Sequence, residues 1–129
     1  PYTTLFRSIE PIIQTHLEDR FISMKYQDII AAFWESHPDI DGAFCSNDIL
    51  AAELIRFATK NGIAVPDQLR VIGYDDIDLA ELYTPSITTI RQSVEDISRF
   101  AVESIVHFND RPLPSQTIFP VQLIEREST

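Results

Sequence analysis

Residues 41–93 read DGAFCSNDILAAELIRFATKNGIAVPDQLRVIGYDDIDLAELYTPSITTIRQS, and the order of apolar runs and polar breaks within them indicates the architecture. Three short apolar runs have the length and composition of buried strands: residues 42–46, 70–74 and 87–90. A helix-like segment at 48–61 follows the first run, with Asn47 or Asp48 as its cap and Asn61-Gly62 as its stop. This alternation predicts an α/β fold, with a parallel sheet, right-handed crossovers and flanking helices.

Outward from this stretch, strand-like and helix-like segments continue to alternate in both directions. The further predicted elements are a weak strand at 11–15, a helix at 25–36 ended by Pro38, a helix at 94–108, a strand at 118–124 and a polar tail at 125–129. Ser93 and Asp96 have the spacing of a capping box at the start of the helix at 94–108. In the helix at 48–61, the apolar spacing predicts the inward positions Ile49, Leu50, Leu54, Ile55 and Ala58.

Composition and charge limit what the chain can do. Hydrophobic residues make up 44% of the 129 residues, which is enough for one domain with a buried core. Ten basic residues are scattered among twenty acidic ones, so the net charge is −10 and direct nucleic-acid binding by this chain is not expected. The apolar runs are too short for a membrane span, and no export signal is recognised. The single cysteine, Cys45, lies in an apolar run and is expected to be buried and reduced, which fits a cytoplasmic protein.

The first eight residues, PYTTLFRS, need a separate interpretation. They resemble the in-frame translation of a widely used sequencing-library adapter, which predicts that residues 1–8 are an artefactual leader. The alternative is an ordinary N-terminal strand. The coding DNA distinguishes the two, and on the adapter interpretation the natural sequence begins near Ile9.

Compact polar side chains follow two of the predicted strands. Asn47 comes directly after the first strand, and Asp75 comes directly after the second. In open parallel sheets, ligands bind beyond the carboxyl ends of the strands, and a carboxylate with an amide suits the hydroxyl groups of a polyol such as a sugar. The structural alternatives are helix capping for Asn47 or Asp48 and an Asp-rich turn for Asp75.

Enzymatic chemistry is not supported by any motif in the chain. Asp75 and Asp76 are adjacent, so their side chains diverge and make a poor acid/base pair. The three histidines lack the spacing of a helical metal pair, and the chain has neither a nucleophile elbow nor a glycine-rich phosphate loop. No enzyme activity, cofactor or metal is therefore predicted.

From residue 41 onward, the chain resembles the C-terminal part of the LacI/GalR family of transcriptional repressors. The stretch quoted above is similar to the family pattern that runs from S-N-D through V-P-D and V-I-G-Y-D-D to L-T-T-I-x-Q, and the final PVQLIEREST is similar to the family's closing L-x-x-R-x-S. The resemblance implies a periplasmic-binding-protein-like effector domain, in which two Rossmann-like subdomains close on a small molecule. It also implies that this chain is an incomplete piece of that domain, without the DNA-binding head.

Subdomain boundaries follow from the same resemblance. Residues 9–129 are expected to be a partial effector-binding domain, in which 9–91 and 120–129 form the C-terminal subdomain and 92–119 cross to the other subdomain. The apolar face of the helix at 94–108 would then lack its cover in this chain, so we expect that face to be exposed.

Four effector-binding residues are implied by the resemblance. Asp75 matches the family's effector-binding aspartate, and Asn47 matches a position that contacts sugars in some members. Phe21 matches the aromatic residue that stacks on the effector, and Gln92 lies at the hinge. The sequence departs from some members at Val94, where an aromatic residue can face the ligand. The implied effector is a sugar or related polyol, or else a nucleoside or purine.

The family resemblance also implies partners. Ala51, Ala52, Ile55 and Tyr83 fall where the family forms its homodimer, although ordinary core packing is the alternative for that helix face. Operator DNA would be contacted only through the missing head, and no membrane partner is expected.

Two other functions remain open at this stage. A transported-sugar binding protein of the same fold would share the S-N-D and G-Y-D features, but it would not need the Y-T-P-S-I-T-T-I-R-Q stretch or the R-E-S-T ending. An α/β enzyme with its active site in the absent half is supported only by fold class, which does not determine function.

Overall fold

A computed structural model describes residues 26–107 and 114–129 of the chain. Its elements, in chain order, are α1 (Tyr26–Ser36), β1 (Gly42–Phe44), α2 (Asp48–Lys60), β2 (Arg70–Asp75), α3 (Asp78–Leu82), β3 (Thr88–Gln92), α4 (Val94–Val106) and β4 (Val121–Ile124). The predicted leader at 1–8, the weak strand at 11–15 and Phe21 lie outside the described residues.

The four strands form one sheet in the order β1-β2-β3-β4. The first three strands are parallel, so the predicted α/β class with flanking helices is confirmed. The predicted parallel arrangement does not extend to β4, which runs antiparallel to β3. The register explains the reversal, because Gln92, the last residue of β3, pairs with Val121, the first residue of β4. The chain returns beside the point where it left the sheet, so β4 must run back along β3.

Helix α2 begins and ends as its sequence predicts. The side chain of Asn47 accepts a hydrogen bond from the backbone N–H of Leu50 at 2.8 Å, which satisfies one of the unpaired donors in the first turn. The helix ends before Gly62, whose φ of 71° lies in the left-handed region that glycine adopts readily.

The predicted capping box at α4 is wrong. Ser93 occupies the cap position, but its hydroxyl makes no capping hydrogen bond. The Ser93 Oγ donates instead to the carbonyl oxygen of Pro120 at 2.6 Å. Ser93 therefore joins the outgoing and returning chain segments, and Asp96 pairs with Arg99 within the helix.

The core lies between α2 and one face of the sheet. Its fully buried large side chains include Ile55, Leu69, Val71 and Ile87. The inward positions predicted for α2 are confirmed for Leu54, Ile55 and Ala58, while Leu50 is partly buried. The prediction is wrong for Ile49, which is 49% exposed, because Asp48 takes the inward place in the first turn.

Helix α4 contributes no buried residue to the core. Val94 and Ile105, two residues of the predicted apolar face, have 60% and 77% of their surface accessible, and the neighbouring Val102 and Val106 have 60% and 67%. The expectation of an uncovered apolar face on this helix is therefore confirmed. Within residues 26–107 and 114–129, no helix has the length and apolar character needed to cross a bilayer.

The segment at 125–129 is not a free polar tail, as its composition suggests. Ser128 is completely buried between β2 and β3. Its hydroxyl donates to the carbonyl oxygen of Val71 at 2.6 Å and accepts from the N–H of Thr88 at 2.8 Å. The Ser128 carbonyl also accepts from the N–H of Val71 at 2.9 Å, so this segment completes the hydrogen bonding at the start of both strands.

Candidate functional site

Three predicted site residues lie at one edge of the sheet. Asn47 follows β1, Asp75 ends β2 and Gln92 ends β3. Because these strands are parallel neighbours, their carboxyl ends share an edge, which is where open α/β sheets bind ligands. The structure thus places Asn47, Asp75 and Gln92 along one line of strand ends.

Asp75 and Gln92 are in direct contact. The Nε2 of Gln92 donates to Oδ1 of Asp75 at 2.7 Å, and the Asp75 residue is exposed. The hydrogen bond orients the carboxylate while its second oxygen, Oδ2, takes no part in the bond. A carboxylate held in this way can accept hydroxyl hydrogen bonds from a ligand.

The two polar atoms of the Asn47 side chain have different roles. Its side-chain oxygen caps α2, so helix capping, the alternative to ligand binding, is the correct role for that atom. The Nδ2 group takes no part in the cap, and an amide N–H₂ can donate to a ligand oxygen.

The backbone that presents Asp75 is strained. Asp75 and Asp76 have φ values of 102° and 55°, and two successive non-glycine residues with positive φ are uncommon. Each such residue costs about 1–3 kcal/mol and persists only where contacts with the surrounding structure offset that cost. The loop at 75–77 therefore needs strong anchors.

Asp76 provides the first anchor. Its side chain is 5% exposed and accepts hydrogen bonds from Nε of Arg91 at 2.5 Å and from Nη2 of Arg126 at 2.7 Å. Burial acts to raise the pKa of Asp76, but the hydrogen bonds and positive charges of Arg126 and Arg91 outweigh it and hold the pKa below its usual value. Asp76 faces the protein while Asp75 is exposed, which is the divergence expected for adjacent carboxylates.

Asp48 provides the second anchor and is fully buried. Its two carboxylate oxygens accept hydrogen bonds from Thr89 Oγ1 at 2.5 Å and from the N–H of Ile77 at 2.9 Å. Gly73 lies against it so closely that a Cβ at that position would overlap Oδ1 of Asp48. Sequence reasoning considered Asp48 only as a helix cap and missed this role. The signal available was Gly73, since glycine inside a strand often marks the close approach of another group.

A shallow open depression of about 270 Å³ adjoins the end of β3. It is lined by Arg91, Gln92, Ser93, Pro120, Val121 and Gln122. Gln92 therefore borders both this depression and Asp75, at the place where the chain leaves the sheet and returns.

Three of the four residues predicted to form a dimer interface are buried inside this chain. Ala51, Ala52 and Ile55 are 0%, 6% and 0% exposed and belong to the chain's own core. Their burial needs no partner, which agrees with the core-packing alternative. Tyr83 is only partly buried and packs against the same core, so its role in a dimer remains a prediction.

Cys45 is buried as expected, at 5% exposure. Burial, with a smaller effect from the charge of Asp48, raises the pKa of its thiol to about 12. Among the described residues, no group of three or more histidine, cysteine, aspartate or glutamate side chains is placed to hold a metal ion.

A family model described as a periplasmic binding protein-like domain matches residues 4–129. The match includes part of the predicted leader at 1–8, whose origin stays a prediction until the coding DNA is examined.

Similar proteins include transcriptional repressors. The ribose operon repressor of Halalkalibacterium halodurans is 33% identical over 105 residues, covering 80% of this chain and 32% of that protein. The HTH-type transcriptional repressor PurR of Photobacterium profundum is 44% identical over 63 residues, covering 49% of this chain and 19% of that protein. The chain thus spans a third or less of the length of these two relatives.

A similar solved structure is that of a LacI family transcriptional regulator from Arthrobacter sp. FB24 in complex with lactose. It has a TM-score of 0.70 and 33% sequence identity, over 81% of this chain and 40% of that one.

Proposed function

Since the chain belongs to the family of periplasmic binding protein-like domains, we propose that it is part of the effector-sensing domain of a transcriptional repressor of the LacI/GalR type. The hydrogen bond between Gln92 and Asp75 carries the proposal, because it presents an oriented, exposed carboxylate at the edge of the sheet where ligands bind. We propose a sugar or a similar polyol as the effector.

The chemistry of the strand ends supports this class of ligand. Asp75 can accept hydroxyl protons, and the Nδ2 group of Asn47 can donate to a hydroxyl or ring oxygen. Neighbouring hydroxyl groups on a sugar ring need such a mixture of acceptors and donors. The similarity to a regulator solved with lactose supports the same choice. We also propose Phe21 as an aromatic residue that stacks on the effector, on the strength of the family resemblance.

The remaining assignments follow from similarity to operon repressors. We propose that the complete protein is a cytoplasmic homodimer, is not an enzyme, and contacts operator DNA through a separate head. Tyr83 is the proposed dimer residue that is only partly buried against the chain's own core, so part of its surface can contact a second subunit. The net charge of −10 disfavours contact between this chain and DNA phosphates, which supports DNA binding by another part of the protein.

The test is calorimetric titration of the complete gene product with ribose, sucrose, lactose and hypoxanthine. We expect one of the sugars to bind, and Asp75→Asn to weaken that sugar about tenfold to a hundredfold, because a hydrogen bond to a charged group is lost. The matched control is Asp67→Asn, which changes an exposed aspartate ahead of β2 and should leave the affinity unchanged. Binding of hypoxanthine alone, or a sugar affinity that is insensitive to Asp75→Asn, would contradict the proposal.

A further inference from the structure

The strained loop at 75–77 depends on a residue far along the chain. Asp76, the neighbour of the exposed Asp75, accepts a hydrogen bond from Nη2 of Arg126 at 2.7 Å, across 50 residues of sequence. Asp76 and Arg126 are almost fully shielded, with 5% and 14% of their side-chain surfaces exposed. Solvent and salt screen such a pair much less than they screen a surface pair.

Arg126 is itself held rigidly. Its Nη1 donates to the carbonyl oxygen of Ile87 at 2.9 Å, and its backbone N–H donates to Thr88 Oγ1 at 2.8 Å. Two residues later, Ser128 is buried between β2 and β3. The guanidinium group therefore reaches Asp76 from a segment whose backbone is bonded to the sheet, and its planar fork fits two acceptors at once.

Arg91 contacts the other carboxylate oxygen of Asp76, but its side chain is 53% exposed. Of the two arginines, Arg126 is thus the shielded one, and it alone joins Asp76 to the carbonyl at the start of β3. Residues with positive φ persist where the surrounding structure holds them. The conformation of Asp75 should depend on this contact, although Arg126 has no hydrogen bond to Asp75 itself among those described.

We propose that Arg126 is a positioning residue for the ligand-binding carboxylate of Asp75, acting through Asp76. The claim that Arg126 sets the conformation of Asp75 stands on geometry alone. Its effect on ligand affinity rests on the proposed function, because it assumes that Asp75 binds the effector.

The first experiment needs no ligand. Three-bond HN–Hα couplings and carboxyl ¹³C shifts of Asp75 and Asp76 are measured by NMR in the 129-residue chain and in its Arg126→Leu and Arg126→Lys variants. We expect the coupling of Asp75 to move towards the value for an extended strand in Arg126→Leu, and to move less in Arg126→Lys, which keeps the charge. Arg99→Leu removes an arginine that is 64% exposed on α4 and should change neither aspartate. If Arg126→Leu shifts the carboxyl signal of Asp76 and leaves the coupling of Asp75 unchanged, the proposal is overturned.

The second experiment is a double-mutant cycle in the complete gene product, titrated with whichever of ribose, sucrose and lactose binds the unmodified protein. Arg126→Leu is expected to weaken binding about tenfold. In the Asp76→Ala background, the same change should have little further effect, because the side chain that connects Arg126 to Asp75 is already absent. Leu54→Ala, a core substitution on α2, controls for lost stability and should leave the affinity of the folded protein unchanged.

The outcomes of the cycle separate the two proposals. Equal losses from Arg126→Leu in both backgrounds would overturn the role through Asp76. Failure of all three sugars to bind the unmodified protein would contradict the proposed function, while the ligand-free couplings would still decide whether Arg126 positions Asp75.

Discussion

Gln92 donates a hydrogen bond from Nε2 to Oδ1 of Asp75 at 2.7 Å, and so joins the ends of two neighbouring parallel strands. In the register of β2 and β3, Asp75 is opposite Arg91, so the contact lies one residue beyond the last paired position. Side chains that meet at this edge contribute little to the core and are available to a ligand.

Gln92→Met should lower sugar affinity severalfold with little change in stability. The change removes the donor that orients Asp75, whereas substitution away from buried features usually alters the free energy of unfolding by no more than about 0.5 kcal/mol. Calorimetry on the complete gene product measures the affinity, and thermal unfolding measures the stability. Gln116→Met, at an exposed position, serves as the control. Unchanged affinity in Gln92→Met would show that this hydrogen bond does not matter for binding.

Gly73→Ala should destabilise the protein strongly, while Gly42→Ala should be tolerated. An added Cβ at Gly73 would overlap the buried carboxylate of Asp48, and overpacking of this kind costs about 1–3 kcal/mol. The nearest atom to a Cβ at Gly42 would be the carbonyl oxygen of Arg70 at 3.9 Å, an ordinary contact. Urea denaturation of the two variants gives the comparison. Equal midpoints would mean that Asp48 moves aside at little cost.

Acid should remove the stabilisation that Asp76 provides. Its folded-state pKa is lowered by Arg126 and Arg91, so the contribution is complete above the unfolded value near 3.9 and is lost as the pH falls through the lower folded value. Urea midpoints of the unmodified chain and of Asp76→Asn, compared from neutral to about pH 2.5, should therefore converge in acid. Hydrogen bonds from Ser86 lower the pKa of Glu127, so the stability that Glu127 contributes is also lost in acid. Glu127 is present in both proteins, so its effect cancels in the comparison. A difference that stays constant with pH would contradict the prediction.

The apolar face of α4 should cause this chain to associate with itself. Val102, Ile105 and Val106 expose well over half of their surfaces, and burial of a large aliphatic side chain is worth about 1.5–3 kcal/mol. Sedimentation of the 129-residue chain should show association that falls with Ile105→Gln. Glu103→Gln, at an exposed position on the opposite side of α4, should have a much smaller effect. An unmodified chain that stays monomeric at all concentrations would contradict this prediction.

The sequence predicted most of the fold because its signals are local. The 3-4 spacing of apolar residues, the Asn47 cap and the Gly62 stop act within a few residues, and they placed α2 correctly. Ligands bind beyond the carboxyl ends of parallel strands, and this rule predicted that Asn47 and Asp75 lie at one edge. The prediction of Gln92 as a site residue came from the family resemblance.

What the sequence could not reveal depends on contacts between distant residues. Ser128 bonds to Val71 across 57 residues, and Asp48 bonds to Thr89 across 41. No local pattern distinguishes such a serine from one in a solvated tail, or such an aspartate from a helix cap. The direction of β4 was missed for a similar reason, since it is set by where the returning chain meets Gln92.

The buried carboxylate of Asp48 has a thermodynamic consequence for binding. One side chain joins the first turn of α2 to β3 and to the backbone just after Asp76, so the loop that carries the proposed ligand-binding carboxylate is held in place without a ligand. Ordering a loop on binding consumes conformational entropy that would otherwise favour the complex. For the binding role proposed for Asp75, that entropy loss should be small, so differences in affinity between effectors should arise mainly from the contacts that each one makes.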